Sequence, residues 1–148
     1  MAGGTGAFQV GNQLPGFLVD ILASTGALAV AGTGVAYSNS FVLRRGVTFG
    51  WEVKLTSSGV CTVTIELEQA NQPPTTEGTQ DDAFVIPVNK LTTAGMFPTG
   101  IIVAAATHYI TAYSPDATVL GRLKITGTGS NDASTKLVLA RMYEIKNV

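Results

Sequence analysis

The 148-residue sequence has one cysteine, Cys61, and one histidine, His108. A single cysteine excludes an internal disulfide and any multi-cysteine metal site. A single histidine excludes sites built on two or more His ligands. Charge is scarce as well. Asp, Glu, Lys and Arg make up 13% of the chain and leave a formal net charge of −1, against roughly 25% charged residues in an average soluble protein. With no basic excess to attract a phosphate backbone, nucleic acid is not an expected partner. The apolar stretch 17–37 is broken by Asp20, Gly26, Gly32 and Gly34. A membrane-spanning helix needs ~20 nearly uninterrupted apolar residues, so a membrane is not an expected partner either. The opening "MAGGTGAFQV" has no Lys or Arg and lacks the charged start of a secretory signal.

What the chain does have is Gly, Thr, Ser and Ala in place of charge, beside an ordinary 45% hydrophobic content. A surface with so little electrostatic repulsion suits a protein covered by neighbours. The length fits one domain, expected over residues 17–148, able to bury about two-thirds of the surface of its unfolded chain. Residues 1–16 hold five Gly and one Pro, with Phe8, Val10 and Leu14 isolated among them. One reading is a frayed terminus. The other, which we take as the expectation, is an extended arm whose Phe8, Val10 and Leu14 dock on a neighbouring subunit or partner.

From residue 17 on, the punctuation is that of an all-β protein. Segments 17–23, 27–31, 35–43, 48–56, 60–68, 83–88, 101–113, 119–126 and 136–144 are mostly rich in Val, Ile, Thr and aromatics and bounded by Gly, Pro, Asn or Ser. No segment sustains an i, i+3, i+4, i+7 apolar pattern, so little helix is expected. In "WEVKLTSSGVCTVTIELEQ", Trp51, Val53 and Leu55 alternate with Glu52, Lys54 and Thr56. After a turn at 57–59, Cys61, Val63, Ile65 and Leu67 alternate with Thr62, Thr64, Glu66 and Glu68. This reads as a hairpin with one dry and one wet face, and Cys61 on the dry face reads as a structural thiol. Leu123 and Ile125 likewise alternate with Arg122, Lys124 and Thr126. The fold expected is an antiparallel β-sandwich with Trp51, Val53, Leu55, Cys61, Val63, Ile65, Leu67, Leu123 and Ile125 inside.

Several residues could carry chemistry. Glu66 and Glu68 share a strand face, as a general acid and base could, but nothing apolar beside them would raise a pKa. The loop "ANQPPTTEGTQDD" brings Glu77, Asp81 and Asp82 without the regular spacing that wraps oxygen ligands around calcium. His108 has no obvious acid, nucleophile or metal partner. "GTGSN" at 127–131 leads into a strand and lacks the lysine of a phosphate loop, so it is a joint between strands. No catalytic residue, cofactor or metal is therefore expected. Tyr37, Tyr109 and Tyr113, if exposed, would favour a receptor- or carbohydrate-binding module.

The string "YSPDATVLGRLKITGTGSND…TKLVLARMYEI" resembles the C-terminal hairpin of the capsid decoration, or cement, proteins of tailed bacteriophages. "FVLRRGVTFGWEVKLTSSGVCTVTIELEQ" is similar to their middle hairpin. The resemblance covers the last two-thirds of the chain and is of style more than signature, shared with tail, fibre and baseplate sandwiches. It implies a jelly-roll-like sandwich that forms a homotrimer and binds the major capsid protein on the outer capsid surface after synthesis in the host cytoplasm. The alternative it leaves is a tail, fibre or baseplate module that binds a receptor or carbohydrate.

Overall fold

In the computed structural model, residues 13–22, 28–86 and 97–147 are described. They form ten strands: β1 (Gln13–Asp20), β2 (Leu28–Ala29), β3 (Val35–Tyr37), β4 (Phe41–Leu43), β5 (Thr48–Thr56), β6 (Thr62–Ala70), β7 (Ile101–Ala104), β8 (Thr107–Tyr113), β9 (Val119–Gly127) and β10 (Lys136–Asn147). Among the described residues there is no helix. The first sheet runs β1-β10-β5-β8, with β2 beside β10, and the second runs β3-β9-β6-β7, with β4 beside β9. Every pairing is antiparallel. The protein is an all-β sandwich.

The core lies between the sheets. Trp51, Val53 and Leu55 from β5 and Leu137, Ala140 and Met142 from β10 meet Val63, Ile65 and Leu67 from β6 and Leu123 and Ile125 from β9. All nine residues expected inside are buried there, Cys61 included. Each large aliphatic or aromatic side chain so buried contributes about 1.5–3 kcal/mol before ordering costs. Trp51 is packed against the rings of Phe41, Phe97 and Tyr113 at centroid distances of 5.9, 5.4 and 6.1 Å.

Two expectations about pairing are overturned. β5 and β6 are not a hairpin: β5 pairs with β10 and β8, and β6 pairs with β9 and β7. β9 and β10 likewise sit in different sheets. Alternation reveals which side chains of a strand share a face. It does not reveal whether two successive strands share one sheet or face each other across a core, and here both turns are corners between the sheets.

The two corners are stitched to each other, which answers what "GTGSND" is for. Asn131 Oδ1 accepts from the Thr62 N–H at 2.8 Å while its Nδ2 donates to Val30 O at 3.0 Å. The Ser58 N–H donates to Ser134 Oγ at 2.8 Å, and the Asp132 N–H donates to Val60 O at 2.7 Å. The stretch is a joint whose small polar side chains satisfy backbone groups the ladders leave behind.

Strand limits differ where the chain must turn. The expected strand 35–43 is broken at 38–40, where Ser38 Oγ accepts from the Leu123 N–H at 2.9 Å in place of a ladder bond. The expected strand 101–113 divides into β7 and β8 because the chain crosses between sheets at Ala105 and Ala106. His108 braces that crossing: its Nε2 stands 2.7 Å from Ala104 O, and since a carbonyl only accepts, Nε2 carries the proton. Of the expected strand 83–88, Val85 makes an isolated bridge to Gln69; residues 87–88 are outside the described ones. Phe8 and Val10 of the expected arm also lie outside the described residues. Residues 13–16 begin β1, with Leu14 in register with Lys146 of β10, so that part of the segment belongs to the sandwich's own sheet.

Candidate functional site

Alternation turns Glu66 and Glu68 of β6, and Arg122 and Lys124 of β9, away from the core. The register sets Glu68 opposite Arg122 and Glu66 opposite Lys124. Both were expected in water. Instead Arg122 is 2% exposed and Glu68 7%, because the segment that follows β6, residues 71–86, folds back over this outer face. The Arg122 Nε–H donates to Glu68 Oε2 at 2.9 Å, and Lys124 Nζ lies 4.0 Å from Glu68 Oε1.

The covering segment is fastened at four places. Gln69 and Val85 exchange backbone hydrogen bonds of 2.7 and 3.0 Å. The Ser40 N–H donates to Glu77 Oε2 at 2.7 Å, and the Ser40 hydroxyl donates to the other Glu77 oxygen. Arg122 Nη1 donates to Thr79 O at 2.5 Å. The Phe84 ring lies 4.4 Å from the Arg122 guanidinium carbon, which also stands 4.1 Å from the Tyr37 ring, a double cation–π contact. Inside the segment, Asp81 accepts from the N–H groups of Thr75 and Ala83, each at 3.0 Å. Those two backbone donors hold its carboxyl below the ordinary value.

Between segment and sheet is an open cleft of ≈ 340 Å³ whose lining includes Tyr37, Glu68, Asp82, Phe84, Arg122 and Lys124. Its central guanidinium and carboxylate are spent on each other and on the backbone. Of the three loop acids weighed as cation ligands, Glu77 and Asp81 accept from backbone N–H groups, and Asp82 Oδ1 accepts from Gln80 Nε2 at 3.4 Å. Among the described residues no group of three or more His, Cys, Asp and Glu is placed to hold a metal ion. The arrangement holds a loop in place; it sets no nucleophile beside a base.

Of the three tyrosines singled out, Tyr37 and Tyr113 are buried and Tyr109 is 67% exposed. Tyr109 stands opposite Glu52, which lies 3.8 Å from Arg141, on the outer face of the first sheet. Tyr143 shares that face and covers Gly50, where a Cβ would come within 2.7 Å of its ring. Burial, then the Glu52 carboxylate, then Tyr109 raise the Tyr143 phenol.

Charge is arranged differently on the two outer faces, the second of which carries Glu66, Glu68, Arg122 and Lys124 in the rows already described. On the first, Asp20, Arg141 and Glu52 form a charged row from β1 to β5. On the second, Val35, Thr126, Thr64 and Ile102 form an uncharged row from β3 to β7, and its two ends, Val35 and Ile102, are exposed. Val42 of β4 and Val85 of the covering segment are exposed too. The clamp of Tyr37, Phe84 and Arg122 went unread in the sequence. The one available signal was Phe84, a large apolar side chain in a polar loop, which requires a partner.

No protein-family model matches this sequence, and no curated protein matches it either.

Proposed function

We propose that this chain is a structural virion protein that decorates and stabilises the capsid shell of a tailed phage, acting by binding and not by catalysis. As a homotrimer on the outer capsid surface it would brace the major capsid protein lattice. The observation that carries this reading is the uncharged Val35–Thr126–Thr64–Ile102 row across the second sheet. β-branched side chains in an uncharged row lose little solvation when covered, and suit a permanent contact in a lattice. The strand order supports the jelly-roll part of the reading. With β3 and β4 taken as one interrupted strand and the short β2 set aside, the sheets have the two-by-four organisation of that fold. The resemblance of the stretch 113–145 to the decoration proteins is what points to a capsid.

The direct test is immunogold labelling of purified particles of the phage that encodes the chain, with its copy number measured by quantitative mass spectrometry. Label spread over the head, at a copy number comparable with that of the major capsid protein, is the expected result. Tyr109, exposed beside Tyr143, favours a second reading as a tail, fibre or baseplate module that binds a receptor or carbohydrate. Label confined to the tail, at few copies, would establish that reading instead.

A further inference from the structure

We infer that residues 71–86 form a strap that opens as one unit from a still-folded sandwich, with the Arg122 guanidinium as the bolt. The inference stands apart from the proposed virion role.

Three observations lead to it. First, everything beneath the strap is built to face water. Arg122 and Glu68 project from the solvent side of β9 and β6, and what buries them is Thr79 and Phe84 of the strap together with Tyr37. Lifting the strap returns both charges to solvent without opening the core between the sheets. A buried ion pair gains little net stability over its hydrated state, so closure is nearly balanced in this respect. Second, the fasteners interlock. Asp81 ties Thr75 to Ala83 through its carboxylate, and the Phe84 N–H donates to Asp81 O at 3.0 Å. Releasing Phe84 from Arg122 therefore strains the same turn that holds Thr75. Third, the strap contributes one side chain, Phe84, to the buried apolar set, and that residue stands apart from the main core cluster. Few apolar contacts with many exposed backbone bonds is the profile of a unit that opens below the global unfolding energy. In the open state Tyr37, Arg122 and Glu68 are exposed on the outer face of the second sheet.

Hydrogen exchange of the full chain, followed by NMR in low denaturant, tests this. The amides of Ser40, Gln69 and Val85 are the reporters, each having a bond between strap and sandwich that strap opening breaks. We expect them to exchange through one shared opening at least about tenfold faster than the amides of β5 and β10. Arg122→Gln should accelerate all three by a common factor and leave β5 and β10 unchanged. Phe84→Ala should do the same to Ser40 and Gln69, and Glu77→Ala to Gln69 and Val85; the two touch different fasteners and carry the test if Arg122→Gln does not fold. Exchange of these amides only with the core, or acceleration confined to the residue next to each substitution, would overturn the inference.

Discussion

Arg122 of β9 and Glu68 of β6 stand opposite each other in the sheet and form an ion pair of 2.9 Å, buried on a face that strand alternation assigns to water. The pair marks where a distant loop has been folded onto the sandwich. Its response to substitution follows from that geometry.

Removing one partner of a buried pair usually costs about 3–5 kcal/mol, because the other charge is left uncompensated. Here the strap can lift and rehydrate Arg122. Glu68→Ala should therefore lower the unfolding free energy by less, about 1–3 kcal/mol, and the double change Arg122→Met with Glu68→Leu should be nearly neutral. Urea unfolding of the three variants checks both statements.

The corner joint should be more sensitive than its small polar residues suggest. Asn131→Ala strands the Thr62 N–H and Val30 O together, and an unsatisfied buried group costs about 1–3 kcal/mol. Asn131→Asp should be worse, since a second oxygen would face Val30 O. Thermal unfolding gives the ranking.

Asp81 and Asp132 both have carboxyls held below the ordinary 3.8, Asp81 by the Thr75 and Ala83 N–H groups and Asp132 by the Ser134 hydroxyl and N–H. A depressed folded-state pKa means that the stabilisation is present above 3.8 and lost as pH falls through the lower folded value. The urea midpoint should drop on acidification through that window, and the drop should flatten in the Asp81→Asn, Asp132→Asn double variant. At the other end, burial raises the Tyr113 and Tyr143 phenols above 10.0. Their contribution is complete below that value and lost as pH rises through the raised one, which phenolate absorbance titration would follow.

Trp51, the only tryptophan, is fully buried with its indole N–H unpartnered. Its emission should be blue-shifted and poorly quenched by acrylamide. Trp51→Ala should cost about 3–5 kcal/mol. Trp51→Phe should cost much less, since it also removes a desolvated donor.

Much of the sandwich was legible because alternation is a local property. Trp51, Val53, Val63, Ile65, Leu123 and Ile125 each carry their inward direction in the residues beside them. What was not legible depends on distant segments. Whether β5 pairs with β6 is decided by β9 and β10, far along the chain. The burial of Arg122 and Glu68 is decided by Thr79 and Phe84, and a period of two along β9 holds no trace of them. The break at Ser38 and the crossing at Ala105 and Ala106 are set by which sheet the chain must reach next. The candidate site was thus almost wholly invisible, apart from the lone aromatic at Phe84.

The most direct test of the proposed role is reconstitution. Heads of the encoding phage, assembled without this chain, would be mixed with the purified protein, and its occupancy and the temperature of DNA release measured together. Saturable binding at regular lattice positions with a raised release temperature is the predicted result, weakened by a charge placed in the uncharged row, as in Ile102→Glu. No binding to the heads, with release unchanged, would contradict it.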